Sequence, residues 1–96
     1  MTKILLDMNY PAFQEQLFRL EKLEQYALLT TLKKIKQLDW KELYKDKGIR
    51  WELITSKTTS KGNNIYSFRF SQKYRATAYR DGDYLVLLAD HDGAYT

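Results

Sequence analysis

Cysteine is absent from this chain of 96 residues, and histidine occurs once. Disulfide scaffolds, thiolate zinc sites and cysteine nucleophiles are therefore excluded, and a single imidazole offers little to a metal. Glycine and proline are scarce, at 4 and 1 copies, and no repeat, linker or low-complexity segment interrupts the chain. Near the N-terminus the apolar run Ile4-Leu5-Leu6 lies between Lys3 and Asp7, far too short for a signal-peptide core or a membrane span. The expected location is the cytoplasm, away from any membrane. What remains is the balance of a folded domain, 44% apolar and 29% charged, with length for one core. A single domain over residues 1–96 is expected, and at this size it is marginal enough that a tight partner matters.

The net charge of +4 is modest, but its distribution is uneven. Residues 53–80 hold Lys57, Lys61, Arg69, Lys73, Arg75 and Arg80 and no acid, whereas residues 81–96 hold Asp81, Asp83, Asp90 and Asp92 and no Lys or Arg. A field of one sign over adjacent strands attracts a polyanion. The same residues on a solvated sheet face would also produce this pattern, so charge alone leaves both readings open.

Hydrophobic periodicity gives the order of elements. Lys3 to Met8 reads as a strand, with Asn9 as a helix cap and Pro11 pre-setting the first turn. Phe13, Leu17 and Leu20, then Leu28, Leu32 and Ile35, recur at spacings of three and four, which predicts two amphipathic helices over Pro11 to Leu23 and Glu24 to Leu38. Asp39 caps a short third turn carrying Trp40, Leu43 and Tyr44, and Gly48 is placed to end it. Strand periods follow: Arg50 to Thr55, a polar loop from Ser56 to Asn64, then Asn64 to Ser71 with Tyr66, Phe68 and Phe70 alternating with Ser67, Arg69 and Ser71. Tyr74 to Arg80 continues as a strand, Asp81-Gly82-Asp83 signals a tight turn, and Tyr84 to Ala89 is apolar on both faces, as in a central strand. The fold class is α+β: an N-terminal strand, a two-helix hairpin, then an antiparallel sheet of about four further strands with helices on one face. Trp40, Trp51 and Tyr66 are expected in the core.

Three stretches in this order carry a family resemblance: Asp39-Trp40-Lys41-Glu42-Leu43-Tyr44 leading to Gly48-Ile49-Arg50-Trp51-Glu52, then Tyr66-Ser67-Phe68-Arg69-Phe70-Ser71-Gln72-Lys73-Tyr74-Arg75-Ala76, then Asp90-His91-Asp92-Gly93-Ala94-Tyr95. Together they resemble the RelE/ParE superfamily of toxins from bacterial type II toxin–antitoxin pairs, and the likeness covers nearly the whole chain. The second stretch is similar to that family's Tyr-Arg-aliphatic-Arg strand and following Tyr-Arg strand, with Ser67 in place of the first arginine. The last resembles its C-terminal signature, with His91 where an arginine commonly precedes the final tyrosine.

The resemblance implies a ribosome-dependent endoribonuclease that cuts messenger RNA and inhibits translation. The ribose 2′-hydroxyl attacks the adjacent phosphate, so the protein supplies acid–base groups and cations and needs no metal or other cofactor. His91 is the acid–base candidate, since an unperturbed imidazole titrates at ~6.5; Arg69 is the candidate for phosphate stabilisation in catalysis, and Tyr95 donates a hydrogen bond or stacks on a base. Lys57, Lys61, Lys73, Arg75 and Arg80 are the candidate RNA and phosphate ligands. The expected partners are an acidic, partly disordered antitoxin, together with messenger RNA and the ribosome. Two alternatives stay open at this point: a ParE-like toxin that inhibits DNA gyrase, and a non-catalytic interaction module of the same fold.

Overall fold

The alternation of Tyr66, Phe68 and Phe70 with polar residues produces the strand at the centre of the packing. The computed structural model describes residues 2–89. It contains β1 (Leu5–Asp7), α1 (Pro11–Arg19), α2 (Lys22–Lys36), α3 (Trp40–Lys45), β2 (Glu52–Thr58), β3 (Asn64–Arg69), β4 (Arg75–Asp81) and β5 (Tyr84–Leu88). One mixed sheet runs in the order β1-β5-β4-β3-β2. The last four strands pair antiparallel, and β1 adds to β5 in parallel through Leu5↔Tyr84, Leu6↔Leu85 and Asp7↔Val86. Among the described residues no helix is long and apolar enough to cross a membrane.

Strand parity assigns the two faces, because successive side chains point to opposite sides. Phe68 lies opposite Ala76 and Tyr66 opposite Ala78; Ala78 in turn lies opposite Leu87. Phe68, Ala76, Ala78 and Leu87 join Phe13, Leu28, Leu32 and Ile35 of the helices in one buried cluster, with Tyr66 partly buried against it. The neighbouring positions Ser67, Arg69, Arg75, Thr77 and Val86 therefore face away from the helices. In the β4–β5 turn, Gly82 carries φ +61 while Asp83 does not enter the positive region, the pattern of a II′ hairpin turn.

Helix boundaries follow hydrogen bonding more than periodicity. The break between α1 and α2 falls at Leu20 and Glu21, both extended, instead of at the expected Leu23–Glu24 junction. Gln25 Nε2 donates to the Leu17 carbonyl at 2.8 Å, which also accepts from the Leu20 N–H at 3.3 Å, so the end of α1 is tied to α2 across the break. Tyr10, and not Asn9, occupies the N-cap of α1, without a side-chain cap. The Asn9 N–H instead donates to Asp7 Oδ1 at 3.0 Å, which shapes the turn from β1. Asp39 does cap α3: its carboxylate accepts from Glu42 N at 2.8 Å while Glu42 Oε1 accepts from Asp39 N at 2.9 Å, a complete capping box.

Gly48 does not terminate α3. The helix stops at Lys45, and the Asp46 carboxylate accepts from both Gly48 N and Ile49 N at 2.9 Å. Lys34 of α2 pairs with the same carboxylate at 3.2 Å. The left-handed residue in this loop is Arg50, at φ +56. β2 then begins at Glu52 and runs to Thr58, into the segment expected to be loop, because its far end pairs through Thr58↔Asn64 after a register shift.

Aromatic packing joins these parts. Trp51 stacks on Tyr66 at 4.7 Å with an interplanar angle of 13°, and meets Trp40 edge-on at 5.6 Å. Such pairs contribute about 0.5–1.5 kcal/mol each beyond the area they bury. Phe68 lies beneath, wholly buried. Phe68→Ala is expected to cost about 3–5 kcal/mol, because it opens a cavity where strand and helices meet. Leu23, 79% exposed, provides the contrast: Leu23→Ala should stay within about 0.5 kcal/mol in the same denaturant titration.

Candidate nucleic-acid interface

On the face away from the helices, β3 and β4 place Arg69 and Arg75 directly opposite one another. Like charges at opposed positions repel, so the pair persists only where the surroundings offset it. Arg75 is satisfied on three sides: Nε donates to Ser67 Oγ at 3.1 Å, and Nη2 donates to the Arg50 carbonyl at 3.0 Å and to Glu52 Oε1 at 2.7 Å. Glu52 reaches it from β2, where it pairs with Ser67, and its second oxygen lies 3.5 Å from the Arg50 guanidinium. One carboxylate thus stands between two guanidinium groups on the face away from the helices, with half of its surface in solvent.

Arg69 is held differently. Its Nε donates to the Ser71 carbonyl at 3.1 Å, and no carboxylate pairs with it among the described residues. Its outer N–H groups are therefore available to an anion, and a guanidinium presents them in a fork that fits phosphate. Lys73 lies in the turn between these two strands, exposed, at the same end of the sheet. The chemistry available here is anion binding by Arg69 and Lys73, with Glu52 able to accept a proton beside them.

The other sequence candidates lie elsewhere. Lys61 occupies the β2–β3 turn and Lys57 the distal part of β2, at the far end of β3, whose six residues rise roughly 17 Å at about 3.4 Å per residue. Arg80 has even parity on β4 and turns to the helix side, its guanidinium 4.5 Å over the Trp40 ring and its Nε bonded to the Gly82 carbonyl at 2.9 Å. His91 and Tyr95 lie outside the described residues. Arg69, Lys73 and Arg75 are thus gathered, and Lys57, Lys61 and Arg80 are not among them.

Glu52 and Arg50 are the members that sequence reasoning did not select. A signal was present, since Glu52 is the one acid between Asp46 and Asp81 and stands at the threshold of the basic run. Two phenols elsewhere on the sheet remain protonated at neutral pH: burial raises the pKa of Tyr66, with further help from the Tyr44 hydroxyl, and burial likewise raises Tyr79. Among the described residues no three His, Cys, Asp or Glu side chains gather into a metal-holding cluster. Comparison of the chain with protein-family models, curated proteins and solved structures gives no match.

The loop that presents Arg50 depends on the ionised form of Asp46. Its carboxyl is held below the ordinary value of 3.8, first by the Ile49 N–H bond, against the opposing effect of burial, and then by Lys34 and Gly48 N–H. Because the folded pKa is the lower one, this contribution to stability is complete above about pH 3.8 and is lost as pH falls through the folded value. Asp46→Asn should therefore show a shallower acid loss of stability across that window than the unaltered protein, in urea titrations at stepped pH.

Proposed function

We propose that this chain is the toxin of a type II toxin–antitoxin pair, a metal-independent endoribonuclease that cuts messenger RNA on the ribosome. One observation carries the reading: the Glu52 carboxylate, 2.7 Å from Arg75 and beside Arg50, with the carboxylate-free Arg69 directly across the strand pair. Cleavage by 2′-hydroxyl attack needs a base for the hydroxyl proton and cations at the phosphate, and these are the groups assembled. Glu52 takes the proton as the 2′-oxygen bonds to phosphorus. Arg69 and Lys73 hold the phosphate oxygens as negative charge builds on them. The bond to the departing 5′-oxygen breaks, leaving a 2′,3′-cyclic phosphate and a 5′-hydroxyl.

That departing oxygen needs a proton, and His91 is the group assigned to give it. The chain passes Ala89 at the arginine end of the sheet, where the Ala89 carbonyl accepts from Thr77 Oγ1 at 3.0 Å. His91 follows Ala89 in the sequence and lies outside the described residues.

An acidic antitoxin completes the proposal. Phe18, Leu23 and Tyr26 are more than half exposed around the α1–α2 turn, and exposed apolar surface of this kind is what a partner helix covers. Lys22 and Lys33 accompany them on the outer face of α2, which suits an amphipathic helix bearing carboxylates.

Expression of the unaltered chain should arrest growth and leave transcripts cut within coding regions, mapped by primer extension. Glu52→Gln is expected to lower the cleavage rate by about 10²–10⁴-fold, the range of general acid–base contributions. Arg69→Ala and His91→Ala should relieve the arrest as well. Intact transcripts accompanied by DNA damage would point to gyrase instead, and unimpaired growth would remove the toxin reading altogether.

A further inference from the structure

We infer that the RNA path continues off the sheet into a groove between the end of α3 and the start of β2, where Lys45 and Lys47 hold backbone phosphates. This rests on the reading of Arg69 and Glu52 as an RNA site, which the groove adjoins. The groove has a volume of about 460 Å³, and its walls include Lys45, Lys47, Arg50, Arg69 and Trp51.

Charge in the groove favours an anion. Its two acids are already engaged, Asp46 by Lys34 at 3.2 Å and Glu52 by Arg75 at 2.7 Å, with Arg50 at 3.5 Å from the latter. Lys45, Lys47 and Arg69 enter none of these ion pairs, so the groove carries cations that no carboxylate among the described residues offsets. A polyanion entering it releases its own counterions and gains affinity without displacing an internal pair.

A further observation points to a ligand. Arg50 sits at φ +56, the one non-glycine residue in the positive region among those described. Strain of this kind concentrates at ligand sites. Here it turns the Arg50 carbonyl to Arg75 and its guanidinium to Glu52, which joins the groove to the cleavage site.

Single-stranded RNA is favoured over duplex DNA because the groove runs directly into a site whose chemistry requires a 2′-hydroxyl. The test is the salt dependence of binding to a fluorescein-labelled oligouridylate, followed by anisotropy between about 50 and 200 mM salt. Each phosphate contact on a single strand contributes about 0.7 to the slope of log affinity against log salt. Lys45→Ala/Lys47→Ala should flatten that slope by about 1.4 relative to the unaltered protein. Lys36→Ala/Lys41→Ala, an equal charge loss at exposed positions outside the groove, should leave the slope unchanged.

Binding by the unaltered protein with an unaltered slope in Lys45→Ala/Lys47→Ala overturns the inference. So does tighter binding to a duplex DNA of the same length, or no binding to the oligouridylate at low salt. None of these outcomes touches the proposed cleavage, which is decided separately by Glu52→Gln on ribosome-bound transcripts.

Discussion

The parallel stack of Trp51 on Tyr66, 4.7 Å between ring centres, fixes the register on which the site depends. Trp51 immediately precedes β2, and its ring is committed to the helix side by contacts with Trp40, Tyr66 and Phe68. Side chains alternate along an extended chain, so Glu52 must then face the other way. There it meets Ser67 in register and Arg75 one strand further across. A slip of one residue would drive Glu52 into the aromatic cluster and expose Trp51, at a cost that hydrophobic burial and charge desolvation both impose. The same packing that stabilises the core therefore places a half-exposed carboxylate on the face away from the helices.

Electrostatics across the sheet follow from that placement. Opposed arginines on β3 and β4 are tolerable because Glu52 engages one of them and the Arg50 carbonyl and Ser67 hydroxyl complete its coordination. A single carboxylate serves Arg75 and Arg50, which leaves Arg69 with only a backbone acceptor. The residual positive charge is local, and it lies at the end of the sheet where β5 delivers Ala89. The strained Arg50 and the clip formed by Asp46 belong to the same arrangement, since together they turn the chain from α3 into β2.

Residues of one type take different roles because of parity. Arg75 and Arg80 lie on one strand, five positions apart, and so emerge on opposite faces. The first joins the open-face network and the second covers Trp40 on the helix side. That distinction was legible: Phe68, Ala76 and Ala78 already mark the even positions as inward on β3 and β4. Treating the basic run as one patch ignored it. Lys57 and Lys61 were grouped with Arg69 for the same reason, although the length of β3 separates them.

Local pattern determined the order of elements, the capping box at Asp39, the hairpin at Gly82 and the identity of the buried aromatics, because each arises from neighbours in the chain. The break after Arg19 and the left-handed turn at Arg50 were decided by the hydrogen bond that Gln25 donates and those that the Asp46 carboxylate accepts, which periodicity does not register. Parallel pairing of β1 with β5 joins opposite ends of the chain, and no local signal specifies it. The sequence by itself therefore determined that a basic, aromatic-rich α+β sheet would form. Only the tertiary structure decided which cations converge and that Glu52 stands among them, because convergence across three strands depends on register and face.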